Sequence, residues 1–123
     1  MKAIDNLLDD LGHEKFDLEL KAHDSVSGVL RFCRENDTVK KLIMLSSNSE
    51  TSGDIVITRI NELLDPNSFE DWDATLVALL VVLIDSNHPQ AGFVSMSFLR
   101  YPHELRWTKP LAQSFLLKAE LRK

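Results

Sequence analysis

The stretch Leu76-Val-Ala-Leu-Leu-Val-Val-Leu-Ile84 is the longest apolar run of the 123-residue chain, and it decides the predicted fold. A helix that is apolar on every side has no face to turn to water, so other elements must surround it. The run is nine residues long, about half of the roughly 18 that a membrane-spanning helix needs. We therefore predict a buried core helix and no membrane span. A buried strand is the competing interpretation because Val81, Val82 and Ile84 are β-branched, but length and capping favour a helix.

The residues before this run carry the signals of a helix start. Ser68 and Asp71 have the spacing of a capping box, in which side chains satisfy free backbone N–H groups. Glu70, Asp71 and Asp73 place negative charge where the positive end of a helix dipole favours it. The sequence therefore predicts that the core helix begins soon after Ser68.

Segments further from the run also favour helices. Residues 16–22 alternate apolar and polar side chains as a strand does, yet their apolar face continues to Arg34, which favours a single helix. Asn36 and Asp37 predict a stop and a new N-cap. The polar residues 46–53 predict a loop, and the Thr51/Asp54 spacing predicts that the next helix starts there. Pro89 and Pro110 suit the first turns of two later helices.

These signals together predict an all-α fold in one domain, residues 1–123. Paired helices joined by short polar turns resemble HEAT or armadillo-type units in their architecture, most clearly over residues 54–100. A closed bundle fits the same pattern, since no fixed-period sequence repeat is present. Two architectures stay open: a compact multi-helix bundle, or a short HEAT/armadillo-like α-solenoid, each with a central buried helix.

Composition places the chain among ordinary globular proteins, with 44% hydrophobic and 27% charged residues. The first twelve residues alternate acids with apolar side chains and lack the basic start of a secretory signal. The single cysteine, Cys33, excludes an intramolecular disulfide and lies on a predicted apolar face, as a buried structural thiol does. We expect a cytoplasmic protein.

The net charge of −5 is divided unevenly along the chain. Residues 1–73 hold 16 acids and 8 bases, which gives −8, whereas residues 74–123 hold 3 acids and 6 bases, which gives +3. An acidic chain repels nucleic acid and attracts basic surfaces. The acidic portion therefore points to a basic protein partner.

No local motif for catalysis, metal binding or cofactor binding is present. The four histidines, His13, His23, His88 and His103, are never three or four residues apart, so none pair on one helix face. The four glycines are too widely spaced for a phosphate-binding loop. We predict no cofactor, no metal and no catalytic residue, although a small enzyme with a site assembled only in the tertiary fold stays an alternative.

Two segments supply candidate binding residues. One is the acidic set that precedes the apolar run, Glu70, Asp71 and Asp73, and the other is the proline-bracketed segment 100–110. Tyr, Trp and Arg are enriched at binding hot spots. The ordinary alternative is that aromatic residues here cover the core and the acids only complement a helix dipole. The candidates of the second segment are Arg100, Tyr101, His103, Arg106 and Trp107.

We expect a non-enzymatic protein-interaction module. Its concrete form would be a small acidic inhibitor, such as an immunity-type protein, that masks a basic surface of its partner. Nucleic-acid binding is the alternative, because residues 86–123 hold 6 bases and 2 acids together with Tyr101 and Trp107 for stacking. The overall negative charge opposes that alternative.

Overall fold

The computed structural model describes residues 2–68 and 70–121, which form α-helices joined by short segments and contain no strand. The prediction of an all-α fold is confirmed, and residues 16–21 are helical. Within the same residues, no helix is both long enough and apolar enough to cross a membrane. The helices are α1 (Lys2–Leu11), α2 (Glu14–Lys21), α3 (Val26–Glu35), α4 (Asp37–Asn48), α5 (Glu50–Leu63), α6 (Asp73–Asp85), α7 (Ala91–Arg100) and α8 (Thr108–Leu121).

Helix α6 is the core of the molecule. Every side chain from Asp73 to Leu83 is buried, and α6 packs against each of the other helices. In a solenoid each repeat contacts only its neighbours. The helices therefore close into a bundle around α6, the first of the two predicted architectures.

Polar contacts fix both ends of α6 to earlier helices. Near its start, the Thr75 hydroxyl donates to the carbonyl of Leu11, the last residue of α1, at 2.6 Å. At its end, the Arg34 guanidinium donates two hydrogen bonds to the Asp85 carboxylate, both at 2.9 Å. An apolar helix makes no directional contacts along its length, so these bonds set its position along the bundle axis.

The prediction of a loop over residues 46–53 is wrong. Helix α4 runs to Asn48 and α5 begins at Glu50, so only Ser49 separates them. The Ser49 hydroxyl accepts the Ser52 N–H at 3.4 Å and caps α5, two residues before the predicted start. Ser46 and Ser52 are buried, because a serine is small enough to pack between helices. The polar composition of residues 46–53 is therefore that of a junction between two helices and not of a loop.

The single helix predicted up to Arg34 is interrupted between α2 and α3. Ser25 caps α3 by accepting the Gly28 N–H at 3.1 Å, and Leu18, assigned to the apolar face, is 61% exposed. The predicted boundary at Asn36 is confirmed, since its side-chain oxygen accepts the Val39 N–H at 3.0 Å and caps α4. Pro110 lies in the first turn of α8 as predicted, whereas the prediction for Pro89 is wrong, because α7 begins only at Ala91.

The predicted start of the core helix near Ser68 is also wrong, because α6 begins at Asp73. The Ser68 hydroxyl accepts the Glu70 N–H at 3.2 Å, and the Asp71 carboxylate accepts the Asp73 N–H at 3.0 Å. Bonds to the N–H two residues ahead form local turns that compete with helix. The acids before α6 therefore lie in a linker on the surface rather than in a first helical turn.

A close contact joins α5 to the turn between α6 and α7. The buried His88 accepts the Gln90 N–H at Nδ1, and its Nε2 lies 3.5 Å from a carboxylate oxygen of Asp54. Its ring packs directly over Gly53, where an added Cβ would lie 2.8 Å from Nε2. Only glycine leaves room for the imidazole at this point of α5.

Candidate functional site

Two linkers lie side by side at the N-terminal end of α6. The first comprises residues 64–68 and 70–72, and the second comprises residues 101–107. The Tyr101 hydroxyl donates to the Asp65 carbonyl at 3.0 Å. The His103 Nε2 lies 2.8 Å from the Pro66 carbonyl oxygen, and since a carbonyl only accepts, Nε2 carries the hydrogen. These contacts hold the two linkers together.

An open cleft of about 420 Å³ lies between the linkers, and we call it the central cleft. The buried side chains of Leu76 and Leu105 contribute apolar surface to it. The half-buried rings of Trp72 and Tyr101 also line it, one from each linker. The cleft therefore combines an apolar base with aromatic walls.

Three carboxylates line the central cleft: those of Glu70, Asp71 and Glu104. None of the described residues that line it is a lysine or an arginine. Glu70 and Glu104 are exposed, and neither forms an ion pair with any residue that the structure describes. Their negative charge is available to a ligand.

Asp71 shares its charge with α2. The Lys21 ammonium donates to the Asp71 carboxylate at 2.6 Å and also lies 3.1 Å from Asp17. The hydrogen bond to Asp71 raises the pKa of Lys21 above its ordinary value, against the effect of partial burial. Partial burial acts to raise the pKa of Asp71, but hydrogen bonds from Lys21 and from the Asp73 N–H outweigh it and lower that pKa. Asp71 therefore stays ionised and fixes the first linker to α2.

Asp73, a predicted binding residue, is 3% exposed and holds the start of α8 through buried hydrogen bonds. Its carboxylate accepts the Trp107 N–H at 2.8 Å, the Thr108 N–H at 3.0 Å and the Thr108 hydroxyl at 2.7 Å. These donors lie at the start of α8, where backbone N–H groups lack partners within their own helix. Asp73 thus caps α8 from the first turn of α6, and its carboxylate is engaged by these three hydrogen bonds.

Trp107 is 6% exposed, so it packs in the core and offers little surface to a partner. The Arg106 guanidinium covers its ring, with the guanidinium carbon 4.6 Å from the ring centroid. Both residues line a second cleft of about 420 Å³ together with Lys21, Asp71, Asp73 and Glu104. In this second cleft acids and bases occur together.

A third cleft of about 260 Å³ is lined by Trp72 and by residues of α1 and α5. Among them are Asp9 and Arg59, whose carboxylate and guanidinium are 3.0 Å apart. Trp72 therefore belongs to both the central and the third cleft. The acid of the third cleft, Asp9, is therefore paired with Arg59, unlike Glu70 and Glu104 of the central cleft.

The structure brings together some of the residues predicted from sequence. Glu70, Asp71, Tyr101 and His103 meet at the central cleft although the two segments are about 30 residues apart. Arg100 is exposed in the last turn of α7 and lines none of the three clefts.

Sequence reasoning missed Trp72 and Glu104 as site residues. Trp72 adjoins the acidic set that was singled out, and Glu104 lies within the segment 100–110. Both were next to predicted residues, but only the pairing of the linkers shows that they face one cleft.

Comparisons with models of protein families, with curated proteins and with solved structures found no match for this chain.

Proposed function

We propose that the chain is a non-enzymatic protein-interaction module that binds a basic surface of another protein at the central cleft. One observation carries the proposal: the cleft is lined by three carboxylates and two aromatic rings, with no lysine or arginine among its described residues. Aromatic rings attract cations through their negative faces, and carboxylates do so by charge. A cationic side chain is the complementary ligand.

The charge of the whole chain supports the same partner. The chain carries a net −5, of which residues 1–73 contribute −8 and residues 74–123 contribute +3, so a basic partner would be attracted before contact. Such steering raises association rates and weakens as salt screens it, with a Debye length of about 8 Å at physiological ionic strength. Binding should therefore be faster at low salt.

A small acidic inhibitor of the immunity type is the form of interaction module that we favour. Such a protein acts by covering a functional basic surface, which requires a rigid scaffold and accessible acids. The closed bundle around α6 supplies the first, and Glu70 and Glu104 supply the second.

The nucleic-acid alternative gains nothing from the aromatic residues that suggested it. Trp107 is buried beneath Arg106, and the Tyr101 ring lines a cleft whose Glu70, Asp71 and Glu104 carboxylates repel phosphate groups. A base needs an exposed aromatic face to stack on. We therefore retain the protein partner as our proposal.

The proposal is tested by affinity capture from a native lysate treated with nuclease, at low and at moderate salt. Glu104→Lys reverses a charge at the cleft. Glu35→Lys makes the same change at the end of α3, next to the Arg34 that binds the opposite end of α6. We expect the wild type and Glu35→Lys to retain the same stoichiometric protein, and Glu104→Lys to lose it. Equal retention by Glu104→Lys, or no stoichiometric protein in either salt, would contradict the proposal.

A further inference from the structure

We infer that the partner docks as a linear segment and inserts one arginine side chain into the central cleft. This inference rests on the proposed function, because it specifies how the basic partner occupies the same site. It follows from the arrangement of the clefts, the distribution of charge among them, and the types of side chain in the central one.

The three clefts adjoin one another along the N-terminal end of α6. Asp71 and Glu104 line both the central and the second cleft, and Trp72 lines both the central and the third. The central cleft therefore lies between the other two, and we call this row of three clefts the groove. An extended chain places successive side chains about 3.3 Å apart, so a short linear segment can follow such a groove where a convex folded surface would bridge it.

The distribution of charge places the cationic side chain in the middle of this groove. In the second cleft Lys21 and Arg106 accompany the acids, and in the third Arg59 is paired with Asp9. Among the three clefts, only the central one has acids but no lysine or arginine among its described lining residues; Lys21 pairs with Asp71 from the second cleft, which leaves Glu70 and Glu104 as the unpaired acids. A basic residue is therefore favoured at the central position of the segment and disfavoured at the position that faces Lys21 and Arg106.

The composition of the central cleft selects arginine over lysine. A guanidinium is planar, stacks on aromatic faces and forms paired hydrogen bonds with carboxylates, whereas an ammonium is a compact and more strongly hydrated charge. Trp72 and Tyr101 offer the rings, and Glu70 and Glu104 offer the carboxylates. Leu76 also lines the cleft but is 1% exposed, so the methylene groups of the arginine stem would pack against the aromatic rings.

The inference is tested by selection from a phage library of random seven-residue peptides on the immobilised full chain. We expect the selected peptides to share one arginine. The best peptide is then synthesised with that arginine and with citrulline, which keeps the shape of arginine but lacks its charge. By calorimetry, citrulline should weaken binding at least tenfold, and lysine should weaken it by a smaller factor.

Variants of the chain locate the binding. Glu104→Gln and Trp72→Leu should each weaken binding of the arginine peptide about fivefold or more, while Glu35→Gln should leave it unchanged. Circular dichroism of each variant checks that it is folded. Selected peptides without a basic residue, equal binding of citrulline, or unchanged binding to Glu104→Gln would overturn the inference. If the library yields no binder while lysate capture still depends on Glu104, the linear segment is refuted and the proposed function stands.

Discussion

Asp73→Asn tests whether the Asp73 carboxylate, in the first turn of α6, holds α8 in place. Asparagine has nearly the same volume, so the substitution alters hydrogen bonding without opening a cavity. Its carbonyl oxygen can still accept from Thr108, but its NH₂ group then faces the Trp107 N–H, which is 2.8 Å from the carboxylate in the wild type. Two donors would meet in a buried site.

The expected loss follows from the three hydrogen bonds that Asp73 accepts. An unsatisfied buried donor costs about 1 to 3 kcal/mol, and hydrogen bonds to a charged group exceed neutral ones by roughly 1 kcal/mol each. The easier burial of a neutral amide offsets part of this loss. We expect the free energy of unfolding to fall by about 2 to 3 kcal/mol.

Urea unfolding followed by circular dichroism at 222 nm measures this change. Asp10→Asn, at an exposed position of α1, is the matched control and should change the free energy by less than about 0.5 kcal/mol. Thr108→Val removes one donor to the same carboxylate, so its effect should not add to that of Asp73→Asn. If Asp73→Asn is as stable as the control, the proposed cap does not hold α8.

Three further predictions concern other parts of the bundle. Gly53→Ala should destabilise the protein by about 1 to 3 kcal/mol in urea unfolding, because its Cβ would collide with the His88 ring; unchanged stability would show that the ring moves aside freely. Burial raises the pKa of Cys33 from 9.0 to about 12, so its thiol should react with Ellman's reagent at pH 8 only after unfolding. For the same reason the free energy of unfolding should fall as pH rises through 9.0, because the thiol then ionises in the unfolded chain but not in the folded one. Rapid reaction of the native protein would contradict this prediction. Lys21→Met should raise the pKa of Asp71, measured by NMR from its carboxyl carbon shift, because the substitution removes a hydrogen bond that lowers this pKa. In the wild type, the small stabilisation from this hydrogen bond should be lost as pH falls through the lowered pKa of Asp71. An unchanged pKa of Asp71 in the variant would exclude Lys21 as the cause of the shift.

The core helix could be predicted from the sequence because its signal is local. Residues 76–84 are apolar on every side of a helix, and that pattern requires burial whatever the neighbouring elements are. The cap at Asn36 is local in the same sense, since its side chain bonds a backbone group three residues away. The helix junction at Ser49 could not be predicted because serine is common both in loops and at helix N-caps. A run of serines therefore does not distinguish a loop from two helices that meet at a cap.

The candidate site could be predicted only in part because it depends on contacts between distant segments. Asp73 resembles a charge that complements the dipole of its own helix, yet its carboxylate bonds residues 34 and 35 positions later. Glu104 faces the central cleft only because the second linker lies against the first. Residue type suggested which side chains bind, and the tertiary fold decided which of them are exposed together.

The two tryptophans of the chain provide the most direct test of the central claim, that the central cleft binds a cationic side chain. Trp72 lines the cleft, whereas Trp107 is buried beneath Arg106, so their indole N–H signals in a proton–nitrogen NMR spectrum report on two different places. On titration with N-acetyl-arginine methylamide, the Trp72 signal should shift saturably and the Trp107 signal should barely move. The citrulline analogue should produce neither shift. A Trp72 signal that does not respond to the arginine compound, or responds equally to both compounds, would contradict the claim.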